Sequence, residues 1–149
     1  MDYRYIRRMR LFGNRFLESR YDGGKDSPVT GYWLVEMKNW FSIALLCFNP
    51  GHRENYHSHA FNAYTWFLSG SVLEDRIVKD KQSIHQCRSW GPSIIPKYTP
   101  KDNCHKVSVK GNKPVWALTF RGPWDKYWYE YNESDDEIIV LTHGRKRVN

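Results

Sequence analysis

The chain has 149 residues, 40% apolar and 16% aromatic, with a formal net charge of +7. This length fits one domain over 1–149 with a real hydrophobic core, and the aromatic content argues against a disordered chain. No apolar run approaches the length of a membrane-spanning helix, and the basic segment 1–10 is not followed by the apolar stretch of a secretion signal. The number of cysteines is three, which is odd, and none lies in a Cys-x-x-Cys pair, so a reducing compartment is favoured. We therefore expect a cytoplasmic protein with no membrane partner.

The first predicted element is a short helix within 3–17, where Tyr5, Met9, Phe12 and Phe16 have helical spacing, although Gly13 interrupts it. An exposed loop is predicted over 22–30. Beyond it, turn signals recur at short intervals and separate segments rich in β-branched and aromatic residues. The nine strands predicted in this way cover 32–38, 42–48, 61–68, 71–78, 83–89, 106–109, 115–120, 127–131 and 137–142. The pattern predicts an all-β sandwich or barrel.

Two of these segments are rich in aromatic residues. In 61–68, the two-residue period of a strand puts Ala63, Thr65 and Phe67 on one face, and we expect Trp66 on the other face to pack in the core. The segment 124–131 is expected to pack against a core or a dimer partner, with base stacking as the alternative.

Basic residues are concentrated in an N-terminal arm, about 1–17, and a tail, about 143–149. A basic balance suggests an anionic partner such as nucleic acid, a nucleotide or an acidic protein surface. The alternative is a solvated face with basic tails, because charge asymmetry alone has little specificity.

Two histidines separated by one residue, His57 and His59, are the most informative pair in the sequence. Strand residues two apart project to the same face, and neutral imidazole is a common ligand of transition metals. We expect three other histidines to be surface residues, namely His52, His85 and His143.

The pair lies within Gly51-x5-His57-x-His59, and Gly70 closes the next hairpin. This stretch resembles the first motif of the cupin superfamily, except that Ala63 stands where the family has a glutamate, with Asn62 beside it. The second motif of the family is matched by Pro100-x-Asp102-x-x-His105, with Asp102 in place of a glycine.

The resemblance spans about 42–120 and implies a cupin-type double-stranded β-helix, or jelly-roll barrel, with a short N-terminal arm. It implies that His57, His59 and His105 hold a divalent transition metal, with iron as the first candidate and manganese, nickel or zinc as others. Asn62 could add a fourth ligand through its amide oxygen. Three-histidine iron is known among cupin thiol dioxygenases. The alternative is a barrel that has lost its metal and whose histidines are satisfied by hydrogen bonds.

The similarity is greatest to short cupin-like proteins of bacterial viruses and bacteria, which share the Trp-x-Leu-x-Phe-x-Gly-Pro pattern found at 116–123. That group has no settled activity. The likeness implies a bacteriophage or bacterial protein, in the host cytoplasm if viral, and a homodimer.

Two functions follow as hypotheses. The first is a metal-dependent enzyme, of the dioxygenase or isomerase type, that acts on a small molecule in the barrel. The second is a non-catalytic cupin that binds an anionic ligand, a nucleic acid or a host protein through a basic, aromatic surface. No catalytic acid or base and no cofactor-binding motif is predicted, so the state of the barrel cavity distinguishes the two.

Overall fold

The computed structural model describes residues 9–11, 14–24, 26–51, 55–79 and 83–148. These residues form two sheets of seven strands each, and every strand pairing in them is antiparallel. The first sheet has the order β1 (Met9–Leu11), β2 (Asn14–Tyr21), β3 (Val29–Met37), β4 (Phe41–Phe48), β11 (Val115–Arg121), β6 (Ala63–Ser69) and β9 (Lys97–Thr99). The second has the order β14 (Lys146–Arg147), β13 (Glu137–Thr142), β12 (Tyr127–Asn132), β5 (Tyr56–His57), β10 (Cys104–Val109), β7 (Val72–Lys79) and β8 (Ser83–Trp90). The all-β prediction is confirmed. In the described ranges, no helix has the length and hydropathy needed to span a membrane.

Alternation along the strands creates the core between the two sheets. In β11, Val115, Ala117 and Thr119 are buried, whereas Phe120 between the last inward positions is exposed. A strand presents successive side chains to opposite faces, so one face of β11 is enclosed. The inward residues of β6 and β11 pack against Val72 of β7, which belongs to the second sheet.

The predicted faces of β6 are found, but the position expected for Trp66 is wrong. Ala63, Thr65 and Phe67 line the interior. Trp66 lies on the outward face, where its indole N–H donates to the Ile94 carbonyl at 3.1 Å. The ring is therefore partly buried and lies outside the core, because the two-residue period of β6 already gives the inward positions to residues 63, 65 and 67.

The helix predicted within 3–17 is wrong in the part that the structure describes. Residues 9–11 form β1 and residues 14–17 begin β2, and residues 1–8, 12 and 13 lie outside the described ranges. β2 pairs with β3 from Arg15↔Glu36 to Tyr21↔Thr30. The ladder with β3 supplies the backbone hydrogen bonds of this segment, and tertiary pairing of this kind outweighs a weak helical spacing.

The predicted loop is shorter than expected, and part of the basic tail forms a strand. The loop predicted over 22–30 ends at Val29, where β3 begins, and Ser27 within it is buried. In the basic tail, β14 pairs with β13 through Leu141↔Arg147, so this part of the chain is held to the second sheet.

Candidate metal centre

The three histidines predicted as ligands converge on one point between the sheets. His57 ends β5 and is paired directly across the ladder with His105, the second residue of β10. The ring centroids of His57, His59 and His105 lie 4.9 to 5.1 Å apart. Their nitrogen atoms come within 4.8 Å of one another, and the Nε2 atoms of His59 and His105 are 2.9 Å apart. Three imidazoles placed in this way can face a single ion.

The short strand β5 is paired along both edges, and this fixes the direction of His57, its last residue. β10 pairs with one edge and β12 with the other. Just beyond β5, the Ser58 N–H donates to the Tyr129 carbonyl and the His59 N–H donates to the Lys101 carbonyl, each at 2.9 Å. The backbone at His57 and His59 is therefore held by neighbours on two elements, as a pre-organised site requires.

A buried carboxylate lies directly behind His105. Glu74, on β7, is 5% exposed, and its Oε1 accepts from His105 Nδ1 at 2.5 Å. The same oxygen is 2.9 Å from Lys97 Nζ and 3.1 Å from Asn103 Nδ2, while Oε2 accepts from Trp90 Nε1 at 2.8 Å. Because the carboxylate holds the proton on Nδ1 of His105, the Nε2 lone pair is presented to the other histidines.

The charges of Glu74 and Lys97 stabilise each other inside the protein. Burial alone raises the pKa of the Glu74 carboxyl, but the His105 hydrogen bond and the charge of Lys97 outweigh it, so this pKa lies below its ordinary value. Burial lowers the pKa of Lys97, and the charge and hydrogen bond of Glu74 oppose that shift. The Lys97 ammonium also donates to Thr99 Oγ1 at 2.6 Å. Glu74 is therefore ionised where it contacts His105.

Asn62, the candidate fourth ligand, does not join the three histidines. Its side chain is exposed and its Oδ1 accepts from the Lys101 N–H at 2.8 Å. Ala63 takes the inward position beside it and lines the cavity. Successive strand residues face opposite ways, so the residue in the glutamate position of the family points inward while its neighbour points outward.

The remaining histidines and the cysteines lie apart from this centre. His85 and His143 are exposed, as predicted, and His52 lies outside the described residues. The three cysteines, all in the described part of the chain, form no disulfide. Cys104, next to His105, is buried and packs with Tyr56 and Ile77.

A cavity of about 430 Å³ reaches the three histidines from between the sheets. Aliphatic and aromatic side chains form much of its wall, and threonines and charged groups interrupt them. At the end near His59, the wall is aromatic. The apolar and threonine residues that line it include Leu46, Phe48, Phe61, Thr65, Phe67, Val72, Val107, Thr119, Trp124 and Trp128.

Charged residues line the cavity with an excess of cations. Among the described residues there are five cationic and three anionic lining side chains, the cations being Arg20, Lys38, Lys97, Arg121 and Arg145. Each of the three acids is paired, Glu74 with Lys97, Asp22 with Arg121 and Glu130 with Arg145. Arg20 is in turn paired with the buried Glu36 and lies 3.7 Å from Glu18, so the cations of the described wall are largely balanced by acids.

Glu74, Lys97 and Arg121 were missed in the sequence, where no acid or base was predicted beside the histidines. The only signal for Glu74 is its position two residues after the apolar Val72, which puts both on the inward face of β7. Arg121 follows Ala117 and Thr119 with the same period. For Glu74 and Arg121, the available signal is thus a charged residue at a two-residue spacing from buried residues of the same strand.

No protein-family model matches the sequence, and the search of curated proteins finds no match. Solved structures do match the fold. An oxalate decarboxylase of Bacillus subtilis is similar over 72% of this chain and 27% of its own, at 12% identity and a TM-score of 0.53. A mutant of that enzyme is similar over 80% of this chain and 29% of its own, at 14% identity and a TM-score of 0.51. The chain thus spans less than a third of the length of these decarboxylases.

A structure of similar size also matches. A sugar phosphate isomerase of the cupin superfamily from Silicibacter pomeroyi aligns over 89% of this chain and 88% of its own, at 12% identity and a TM-score of 0.51. Identities this low establish the fold alone. Together with the two antiparallel sheets and the cavity between them, they show that this chain has the fold of the cupin superfamily.

Proposed function

We propose that the chain is a metal-dependent cupin enzyme that holds a divalent transition metal with His57, His59 and His105 and acts on a small molecule in the adjoining cavity. The observation that carries the proposal is the convergence of three imidazoles, with ligand atoms within 4.8 Å, at the wall of a cavity of about 430 Å³. Pockets of this size accommodate small organic ligands.

The donor set suits a transition metal. Three neutral imidazoles favour iron(II), manganese(II), nickel(II) or zinc(II), and iron is our first candidate because of the resemblance described above. The hydrogen bond from His105 to Glu74 supports this reading, since histidine ligands commonly donate their second ring nitrogen to a carboxylate. A metal bound there would supply a Lewis acid with open coordination positions on the cavity side.

The chain's own residues would orient the ligands and enclose the substrate. Glu74 keeps His105 in one tautomer, and the strand pairings of β5 hold His57. Ala63 leaves space where the family has a glutamate, so no carboxylate would neutralise the ion from that side. The absence of this carboxylate counts against an oxygenase of the 2-oxoglutarate type, which uses two histidines and one carboxylate. Oxygen chemistry of the three-histidine kind and isomerisation both remain compatible with the site.

The cavity also bears on the alternative of a non-catalytic cupin with a plugged barrel. A binder that uses only its outer surface needs no opening to the histidines, whereas an enzyme does. The cavity reaches all three rings and contains polar groups that converge near them. This favours a ligand inside the barrel.

The first experiment measures metal in the purified protein by inductively coupled plasma mass spectrometry. We expect near-stoichiometric transition metal in the wild type and none in the double variant His57→Ala, His105→Ala. His143→Ala is the matched control, because it removes an exposed histidine that the centre does not use. A chelator should lower the melting temperature of the wild type and of His143→Ala, since removal of a native-state ligand destabilises a protein.

Wild-type protein that contains no metal and whose melting temperature responds to neither added metal nor chelator would contradict the proposal. Equal metal contents in the wild type and in the double variant would contradict the assignment of the ligands.

A further inference from the structure

Within the described part of the chain, two hydrogen-bond donors on cavity-lining side chains have no acceptor. They are Arg121 Nε and Trp124 Nε1, and both atoms are buried. Buried donors without partners are uncommon in folded proteins, and in a cavity wall they are groups that a bound molecule can satisfy.

Arg121 is held in place without the use of its Nε–H. The residue is 5% exposed, and Nη1 and Nη2 both donate to the carboxylate of Asp22. Its guanidinium carbon lies 4.5 Å from the ring centroid of Phe61 and 5.4 Å from that of Trp33. The charge is therefore fixed and oriented, and the Nε edge remains for a further acceptor.

Trp124 packs against the same aromatic residue, Phe61. The ring centroids of Trp124 and Phe61 are 5.1 Å apart, and Trp128 meets Trp124 edge-on at 5.9 Å. Phe61 in turn stacks on His59, with centroids 5.3 Å apart. The two unpaired donors thus flank a ring that touches one of the three histidines.

We propose that this part of the cavity binds the carboxylate of a small organic anion, whose apolar body lies against Phe61, Trp124 and Trp128. The unpaired atoms of Arg121 and Trp124 are donors, so the ligand must supply oxygen acceptors. The Arg121 guanidinium carries its charge beside these donors and so favours an anion, and a planar carboxylate fits the edge of a guanidinium. The inference rests on the proposed function, since it assigns the substrate class of the same cavity.

Benzoate is the probe, because it joins a carboxylate to a flat apolar ring, and benzamide is its neutral counterpart of nearly equal shape. Isothermal titration calorimetry with the full chain measures both affinities, and the metal content of each sample is determined in parallel. We expect benzamide to bind about tenfold more weakly than benzoate, as loss of one hydrogen bond to a charged group predicts. Inorganic phosphate, tested separately, should bind more weakly than benzoate.

Two variants test the donors. Trp124→Phe keeps an aromatic ring and removes only the indole N–H, and we expect it to weaken benzoate binding roughly fivefold to tenfold. Arg121→Lys keeps a charge for Asp22 and removes Nε–H, with an effect in the same direction. Trp40→Phe is the control, since it makes the same change at an exposed indole that does not line the cavity. Circular dichroism shows whether each variant is folded. If Arg121→Lys does not fold, the benzoate affinity of Trp124→Phe alone tests the inference.

Equal affinities for benzoate and benzamide, tighter binding of phosphate, no binding of benzoate by folded wild type, or equal affinities of Trp124→Phe and Trp40→Phe for benzoate would overturn the inference. The metal content of each sample distinguishes failure of this inference from failure of the proposed metal centre. Benzoate binding that depends on Trp124 in a protein without metal would support the anion site and contradict the metal centre. Stoichiometric metal without any dependence on Trp124 would do the reverse.

Discussion

Glu74 receives hydrogen bonds from four side chains, one of which is His105. All four partners of the Glu74 carboxylate are hydrogen-bond donors, so in Glu74→Gln the amide NH2 group would face another donor. The substitution also removes the negative charge that holds the proton on His105 Nδ1. We expect the metal affinity to fall about 10-fold to 100-fold, as is usual when a partner of a histidine ligand is removed. Competition with a chromophoric chelator measures the affinity.

The control for Glu74→Gln is Asp75→Asn on the same strand. Asp75 accepts from the Tyr56 hydroxyl at 2.6 Å and is partly exposed, so its replacement should leave the metal affinity within about twofold of wild type. If Glu74→Gln bound metal as tightly as Asp75→Asn, the role of Glu74 in orienting His105 would be refuted.

Ala63 and Asn62 allow the question of the fourth ligand to be tested directly. Ala63 is buried and faces the cavity, whereas the Asn62 amide is occupied by the backbone of Lys101. A carboxylate added inside should favour a hard cation, because added ligand charge tightens the binding of such ions. We expect Ala63→Glu to raise manganese affinity about tenfold and Asn62→Asp to leave it unchanged, measured by the same chelator competition. An increase in Asn62→Asp alone would reverse this assignment.

The histidines were identifiable in the sequence because their spacing reflects strand geometry. His57 and His59 are two residues apart, and His105 follows a turn at Pro100. Glu74 and Arg121 have only the weaker signal of sharing the phase of buried neighbours, and the sequence does not say which face of the strand is buried. Only the register of the sheet, set by residues distant in sequence, decides between those directions.

At the scale of elements, most of the longer strands were predictable, β2 being the exception, and the shortest were not. Strands such as β4 and β11 have seven or more residues, are rich in apolar and aromatic side chains, and are bounded by turn signals. β5 and β9 have only two and three residues, too few to show any period. β5 nevertheless carries His57, so an element with no sequence signal of its own positions part of the site. Its conformation comes from pairing with β10 and β12.

The strand β3 depends on one glycine. A Cβ at Gly31 would lie 2.0 Å from a ring atom of Trp33, a side chain that is 1% exposed and packed under the Arg20 guanidinium at 3.9 Å. Gly31→Ala must displace the indole or the strand, and we expect it to lower the free energy of unfolding by about 2–3 kcal/mol, as overpacking of a core does. Urea denaturation measures the loss. Gly122→Ala is the control, because its nearest contact would be an ordinary 3.7 Å. Equal stability of the two variants would show that β3 tolerates the methyl group.

At the scale of the whole molecule, the first sheet has an apolar outer face around β6. We define this outer face by six residues, Tyr64, Leu68, Ile94, Ile95, Tyr98 and Phe120, each between 41% and 94% exposed. They are contiguous: the rings of Tyr64 and Tyr98 are 5.0 Å apart, Tyr64 is paired with Phe120 across the ladder, and Trp66 joins Phe120 to Ile94. With roughly 200 Å² for each large side chain, the face exposes on the order of 700 Å².

That area is close to the roughly 800 Å² that each partner contributes to a stable interface, and it exceeds what most monomers leave uncovered. None of the six residues is charged, so two copies of this cationic chain can meet there without bringing like charges together. We therefore expect the homodimer implied by the resemblance to form through the outer face. Light scattering after gel filtration should give twice the chain mass for wild type and the single mass for Leu68→Lys, Phe120→Lys. Trp40→Lys, which alters an exposed turn residue elsewhere, should remain dimeric, and a wild-type monomer at micromolar concentration would exclude this interface.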